Sequence, residues 1–256
     1  MKPLGTLLFP LALFAASFPA SAVGQFDDWT SFRQQAAEAV STGDPKRLRA
    51  LAVSLEDLEG APAGWSDYWA AYLDYRTARL ADDKAGLSAA LEACLRKARA
   101  AADAGTDDSP LRAESQALLG ACHASLAGTG GAAGMEHGPR AAMLRDESLL
   151  TSPDNPRVLI LAGVQDVWTP VQWGGSPERA VRRLQRALQR LDVDSPAPPW
   201  QPRWGRIDAI GHLALALGRL DRSDEARAVL ERARTEGDWN GWLAWVGWQI
   251  HSGDTE

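Results

Sequence analysis

The stretch Pro156–Leu191, PRVLILAGVQDVWTPVQWGGSPERAVRRLQRALQRL, decides how the rest of the chain is read. Val158, Leu161, Ala162 and Gln165 recur at the spacing of one helix face. Ala180, Leu184, Ala187, Leu188 and Leu191 do the same after the turn. Ser176–Pro177 is a helix start, because the hydroxyl caps free N–H groups and proline suits the first helical position. Each helix carries an apolar stripe that it cannot bury alone, so the two predict a packed pair. The small side chains of Ala162, Ala180 and Ala187 let the backbones approach.

The pair recurs at 207–234, where Ile210, Leu213, Ala214 and Leu217 are followed by Ala226, Leu230 and Ala233. This order of large and small slots resembles the tetratricopeptide repeat. In that family the two small slots lie twelve residues apart, as Ala214 and Ala226 do; Ala162 and Ala180 lie eighteen apart, and Gly120 and Ala141 twenty-one. A fourth pair runs from Tyr68, Ala71, Tyr72 and Tyr75 to Leu87, Leu91 and Cys94, with Tyr72 where the family has a small residue. The resemblance covers roughly residues 66–235. It implies an all-α fold, a right-handed superhelix of antiparallel helix pairs. It also implies a concave groove lined by the first helix of each pair, which takes a peptide or protein partner. In this register the groove-facing slots hold Trp69, Leu73, Arg76, Glu114, Asp166 and Arg219.

Outward from the pair, helices are predicted from Asp27–Asp28 to about Val40, from Asp44–Pro45 to Leu58, and from Ser66–Asp67 to about Leu80. Others run from Asp82–Asp83 to Ala102 and from Ser109–Pro110 to the glycine-rich GTGGAAGMEHGP (128–139). Pro139 opens the next, to about Leu150. SPAPPWQPRW (195–204) reads as an extended linker, and a last helix occupies 240–250. The chain divides into a leader (1–22), N-terminal helices (23–62), a repeat domain (63–238) and a tryptophan-rich capping helix and tail (239–256).

The leader has Lys2, an apolar run over Leu7–Phe18, and small residues at Ala20 and Ala22. This predicts a secretory signal peptide cut after Ala22, and a periplasmic or secreted protein that does not span a membrane. Net charge is −6 for the whole chain, which argues against a nucleic-acid partner. Cys94 and Cys122, on neighbouring antiparallel helices of an exported chain, are either a disulfide or two core thiols.

Four features are candidates for function. GTGGAAGMEHGP and WTPVQWGG both read as expanded turns on one edge of the stack, the second presenting Trp168 and Trp173. The groove slots are the second. The third is the row Arg179, Arg182, Arg183, Arg186 and Arg190, opposite the apolar stripe and read chiefly as a solvated outer face. The fourth is DWNGWLAWVGWQIHSG, in which Leu243, Val246 and Ile250 cap the stack while surplus tryptophans suggest self-association. His123, His137, His212 and His251 lack metal spacing, and no nucleophile motif is present. These observations point to a non-catalytic scaffold that binds a protein or peptide partner, with no cofactor. The alternatives are a glycan-handling α/α-toroid enzyme using Asp166 and Glu178, and a structural subunit of an envelope assembly.

Overall fold

The computed structural model describes residues 28–107, 109–193 and 197–253. The leader and Asp27 lie outside the described residues. Among these residues all regular structure is helical. The helices are α1 (Trp29–Thr42), α2 (Pro45–Ser54), α3 (Trp65–Ala78), α4 (Lys84–Ala104), α5 (Pro110–Ala127) and α6 (Gly131–Thr151). They continue as α7 (Pro156–Trp168), α8 (Pro177–Leu191), α9 (Arg206–Gly218), α10 (Ser223–Glu236) and α11 (Gly241–Gly253), with 3-10 turns at Leu55–Asp57 and Val171–Trp173.

Short polar side chains set most of the starts. Asp28, Asp44, Asp83, Ser109, Asn155 and Ser176 each accept from backbone N–H groups of the following turn. Proline occupies the first helical position of α2, α5, α7 and α8. α3 differs from its predicted start: Gly64, at φ 87°, takes the cap position, and Ser66 lies inside the helix. A Cβ at Gly64 would fall 2.7 Å from the Ala104 side chain.

Helices α3/α4, α5/α6, α7/α8 and α9/α10 form successive pairs, and α3, α5, α7, α9 and α11 touch one another in order. The outer helices α4, α6, α8 and α10 each also contact the inner helix that follows. The fold is therefore an α-solenoid. Its core is two apolar clusters along the stack, bridged by Leu149 and Trp204, which pack against both. Close pairing rests on small residues: a Cβ at Gly120 would lie 3.2 Å from Leu144 Cβ, and one at Gly163 2.7 Å from Leu184 Cγ. The Leu243, Val246 and Ile250 face of α11 is buried and closes the second cluster.

One predicted loop is absent. The glycine-rich segment is helical from Gly131, and Pro139 lies inside α6 rather than at its start. Only Gly128–Gly130 connects α5 to α6, so the edge formed by two expanded turns does not exist. The wider spacing of Gly120 and Ala141 comes instead from longer helices. Proline in a helix interior costs about 3 kcal/mol. Here Pro139 is exposed, and by running back this far α6 brings His137 against His123 near the far end of α5. Tertiary packing overrides the local breaker. Cys94 on α4 and Cys122 on α5 are joined as a disulfide, with Cα atoms 6.5 Å apart.

Candidate binding cleft on the concave face

The six groove slots do not form an open surface. Trp69, Leu73, Glu114 and Asp166 are buried, and Arg76 is half-buried. Glu114 accepts from Asn155 at 2.7 Å and from the Arg157 guanidinium at 3.1 and 3.2 Å. Asp166 is clamped by Arg179 and Arg183 at 2.6 and 2.5 Å. Arg219 is exposed; it donates to the Val167 carbonyl and lies over the Trp168 ring, 5.1 Å from its centroid. A buried carboxylate is retained only when paired, which is why these acids face arginines of α7 and α8 and not a partner. The arginine row of α8 is likewise largely committed to its own chain. Arg179 and Arg183 hold Asp166, Arg186 and Arg190 hold Asp154, and Arg182 stays exposed.

The occupant of the concave face is the chain itself. The extended strap 197–205 crosses it. Its Trp200 carbonyl accepts from Trp69 Nε1 at 2.8 Å, and its Gln201 carbonyl from Arg33 Nη1 at 3.3 Å. Trp204 stacks on Tyr72 with centroids 4.5 Å apart. At Gly205, φ 119°, a Cβ would meet Ile160 of α7 at 2.5 Å, so the strap lies tight on the inner helices. Beside it, Arg76 of α3 donates to Asp208 of α9 at 2.6 Å across 132 residues of sequence. Burial opposes both charges, but the partners outweigh it: the Asp208 carboxyl is held below its ordinary range, and the Arg76 guanidinium above its own.

What stays open is a cleft of ≈ 810 Å³ between α1, α3, the strap, α9 and the start of α11. Aromatic rings of Trp69, Tyr72, Trp204 and Trp242 line it, with Arg33, Arg76, Arg79, Arg203 and Arg206. Its single lining carboxylate, Asp208, is held by Arg76. Arg206 is committed to Asp192, Glu236 and Asp238. Arg33, Arg79 and Arg203 form no ion pair among the described residues. Burial and the neighbouring Arg203 charge push the Arg33 guanidinium down, and its buried Nε lacks a hydrogen-bond partner. Arg79 lies over both Tyr75 and Trp242, 6.0 and 5.9 Å from their centroids.

An aromatic row leads out of the cleft. Trp242 stacks on Trp245 (5.1 Å) and, on its other side, meets His212 (5.3 Å), which is edge-on to Trp168 (6.3 Å). Trp168, Trp173, Trp245 and Trp248 are exposed. His212 is wholly buried, and burial, then the Arg79 charge, lowers its pKa to about 4.

Among solved structures, the chain is similar to the HusA haemophore from Porphyromonas gingivalis. The TM-score is 0.54 at 22% identity, covering 75% of this chain and 94% of that one. It is also aligned with the RpL4 assembly chaperone Acl4, at 15% identity over 88% of this chain and 96% of that one. There the TM-score of 0.42 is too low to support a shared fold. The first likeness is one of helical fold. No family model matches the chain, and no curated protein matches it.

Two further groups bear on chemistry. His123 and His137 touch through Nδ1 atoms 2.9 Å apart. Burial, then His137, lowers the His123 pKa to about 4, so one ring donates and the other accepts. No third His, Cys, Asp or Glu joins them among the described residues. Glu178 is exposed at the start of α8, and its own backbone N–H and Ser176 hold its carboxyl below the ordinary range. Neither Glu178 nor the doubly clamped Asp166 is arranged as a proton donor to a glycosidic bond. Of the cleft arginines only Arg76 is marked by the sequence; Arg33, Arg79 and Arg203 come from α1, the end of α3 and the strap, with no shared periodicity.

Proposed function

We propose that this is an exported, tetratricopeptide-like binding protein that acts by recognition and not by catalysis. The cleft and its tryptophan row form the face that receives a protein or peptide partner. The observation that carries this reading is the exposed Trp168 and Trp245, linked through buried His212 and half-buried Trp242 to a cleft in which Arg33, Arg79 and Arg203 form no ion pair among the described residues. Exposed aromatics beside unpaired arginines are the composition of binding hot spots. The leader ending at Ala22 supports export; the protein isolated from the envelope fraction should begin at Val23, and an intact Met1 would count against it. The clamped Asp166 and the depressed Glu178 weigh against the toroid-enzyme reading.

The test places a photoreactive phenylalanine at Trp245, and as a control at Arg182 on the outer face, in cells that make the protein natively. A discrete protein adduct from position 245 and none from 182 is the expected result. No adduct from 245, or the same adducts from both, rejects the reading. Concentration-dependent mass that vanishes in Trp248→Ser would instead assign the C-terminal tryptophans to self-association. A second reading is favoured by the ring-lined cleft itself and by the fold of HusA, which is named a haemophore: the cleft holds a porphyrin. Haemin titration followed at the Soret band, with saturation lost in Trp242→Leu, would establish it.

A further inference from the structure

We infer that the cleft is an anion site, built for a carboxylate attached to a flat aromatic body. This inference rests on the reading of the cleft as the binding face and specifies the chemistry it accepts. Three guanidiniums, Arg33, Arg79 and Arg203, reach it from α1, α3 and the strap; none forms an ion pair among the described residues, and the one lining carboxylate, Asp208, is bonded to Arg76 and feels the Arg79 charge only at longer range. The chain as a whole is acidic, so this excess of arginine over carboxylate in the cleft is local and not a general property of its surface. Arg33 shows the stress of the arrangement, with a buried Nε that has no acceptor and a like charge beside it. A carboxylate between Arg33 and Arg203 would relieve the repulsion by accepting from their terminal guanidinium nitrogens.

The walls specify the rest of the ligand. Tyr72 stacks flat on Trp204, interplanar angle 13°, on one side of the cleft. Trp242 stands under the Arg79 guanidinium on another. A planar ring laid against half-buried Trp204 would extend the Tyr72–Trp204 stack while its acid group meets the arginines. The cleft volume, ≈ 810 Å³, is enough for one such ring and its acid group. The same ring-plus-carboxylate chemistry is presented by a free aromatic acid and by the end of a peptide that closes on an aromatic residue.

The experiment uses the full exported chain and 1-pyrenebutyrate, with 1-pyrenebutanol as the uncharged partner of the same body. Binding is followed by quenching of tryptophan emission. Charge-assisted hydrogen bonds predict that the acid binds about ten- to a hundredfold more tightly than the alcohol. That preference should shrink in 0.5 M salt. Arg203→Gln and Arg79→Gln should each lower acid affinity about tenfold and leave the alcohol unchanged, while Arg182→Gln on the outer face changes neither. Both substituted cleft arginines are exposed, so the variants are expected to fold, which a circular dichroism melt checks. A short peptide ending in a free tryptophan carboxylate, with its C-terminal amide, forms the second arm; whichever acid binds more tightly identifies the source. Equal affinity for acid and alcohol, undisturbed by Arg203→Gln, overturns the anion assignment while leaving the cleft a binding site. Binding of none of the four probes overturns both.

Discussion

Removing the charge of Asp208 tests whether the curled shape of the solenoid depends on the Arg76–Asp208 bridge. The two side chains are 17% and 13% exposed and pin α3 to α9 across the concave face. Breaking a buried pair by removing one partner costs about 3–5 kcal/mol, chiefly because the remaining charge is left without a counter-ion. The residual exposure, and the amide oxygen that Asn still offers, place Asp208→Asn at or just below the bottom of that range, about 2–3 kcal/mol. Replacing both ends, as Arg76→Met with Asp208→Leu, removes the orphan and should fall within about 1 kcal/mol of the wild type. Urea unfolding followed by tryptophan emission gives each value from the midpoint and slope. Hydrogen exchange should show the single variant opening first at the strap and α9, with α5 still protected. A single variant costing less than about 0.5 kcal/mol, or single effects that simply add in the double variant, would refute the argument that this pair closes the superhelix.

Replacing Cys94 and Cys122 by alanine opens a loop of 28 residues and should cost about 3.5 kcal/mol in the chain-entropy account, read from the same urea curves. His212 is held neutral with a pKa of about 4 against ~6.5 in the unfolded chain. Its stabilisation is complete above pH ~6.5 and is lost as pH falls toward 4, by about 3 kcal/mol in all. His123 adds a loss of the same sign. A midpoint flat from pH 7 to 4 would contradict this. At Gly211 a Cβ would fall inside contact distance of Trp242 Nε1, and 3.1 Å from Leu243 Cδ2. Gly211→Ala should therefore displace α11, cost about 1–3 kcal/mol by overpacking and shift Trp242 emission; unchanged emission would count against the packing described.

Local patterns carried most of the helix boundaries. Ser176–Pro177, Asp44–Pro45 and Ser109–Pro110 start helices where capping and proline geometry say they should, because those effects act within one turn. The apolar periodicity of 156–191 and 207–234 likewise fixed helix pairs, and with them the solenoid. Pro139 failed as a boundary because packing of the first turns of α6 on the end of α5, as in the His123–His137 contact, outweighs one lost backbone hydrogen bond.

Tertiary structure alone decided the binding face. Family-like register put Trp69, Glu114 and Asp166 in an open groove, but a carboxylate can be buried only beside a cation, and each found one on its own chain. The strap was legible as extended from its prolines; that it lies across the concave face depends on the Tyr72–Trp204 stack and the Trp69 hydrogen bond. Arg33, Arg79 and Arg203 have no pattern in the linear chain, since helix periodicity relates neighbours within a segment. They converge only because the superhelix curls tightly enough to bring its first helices, the strap and its last helices around one space.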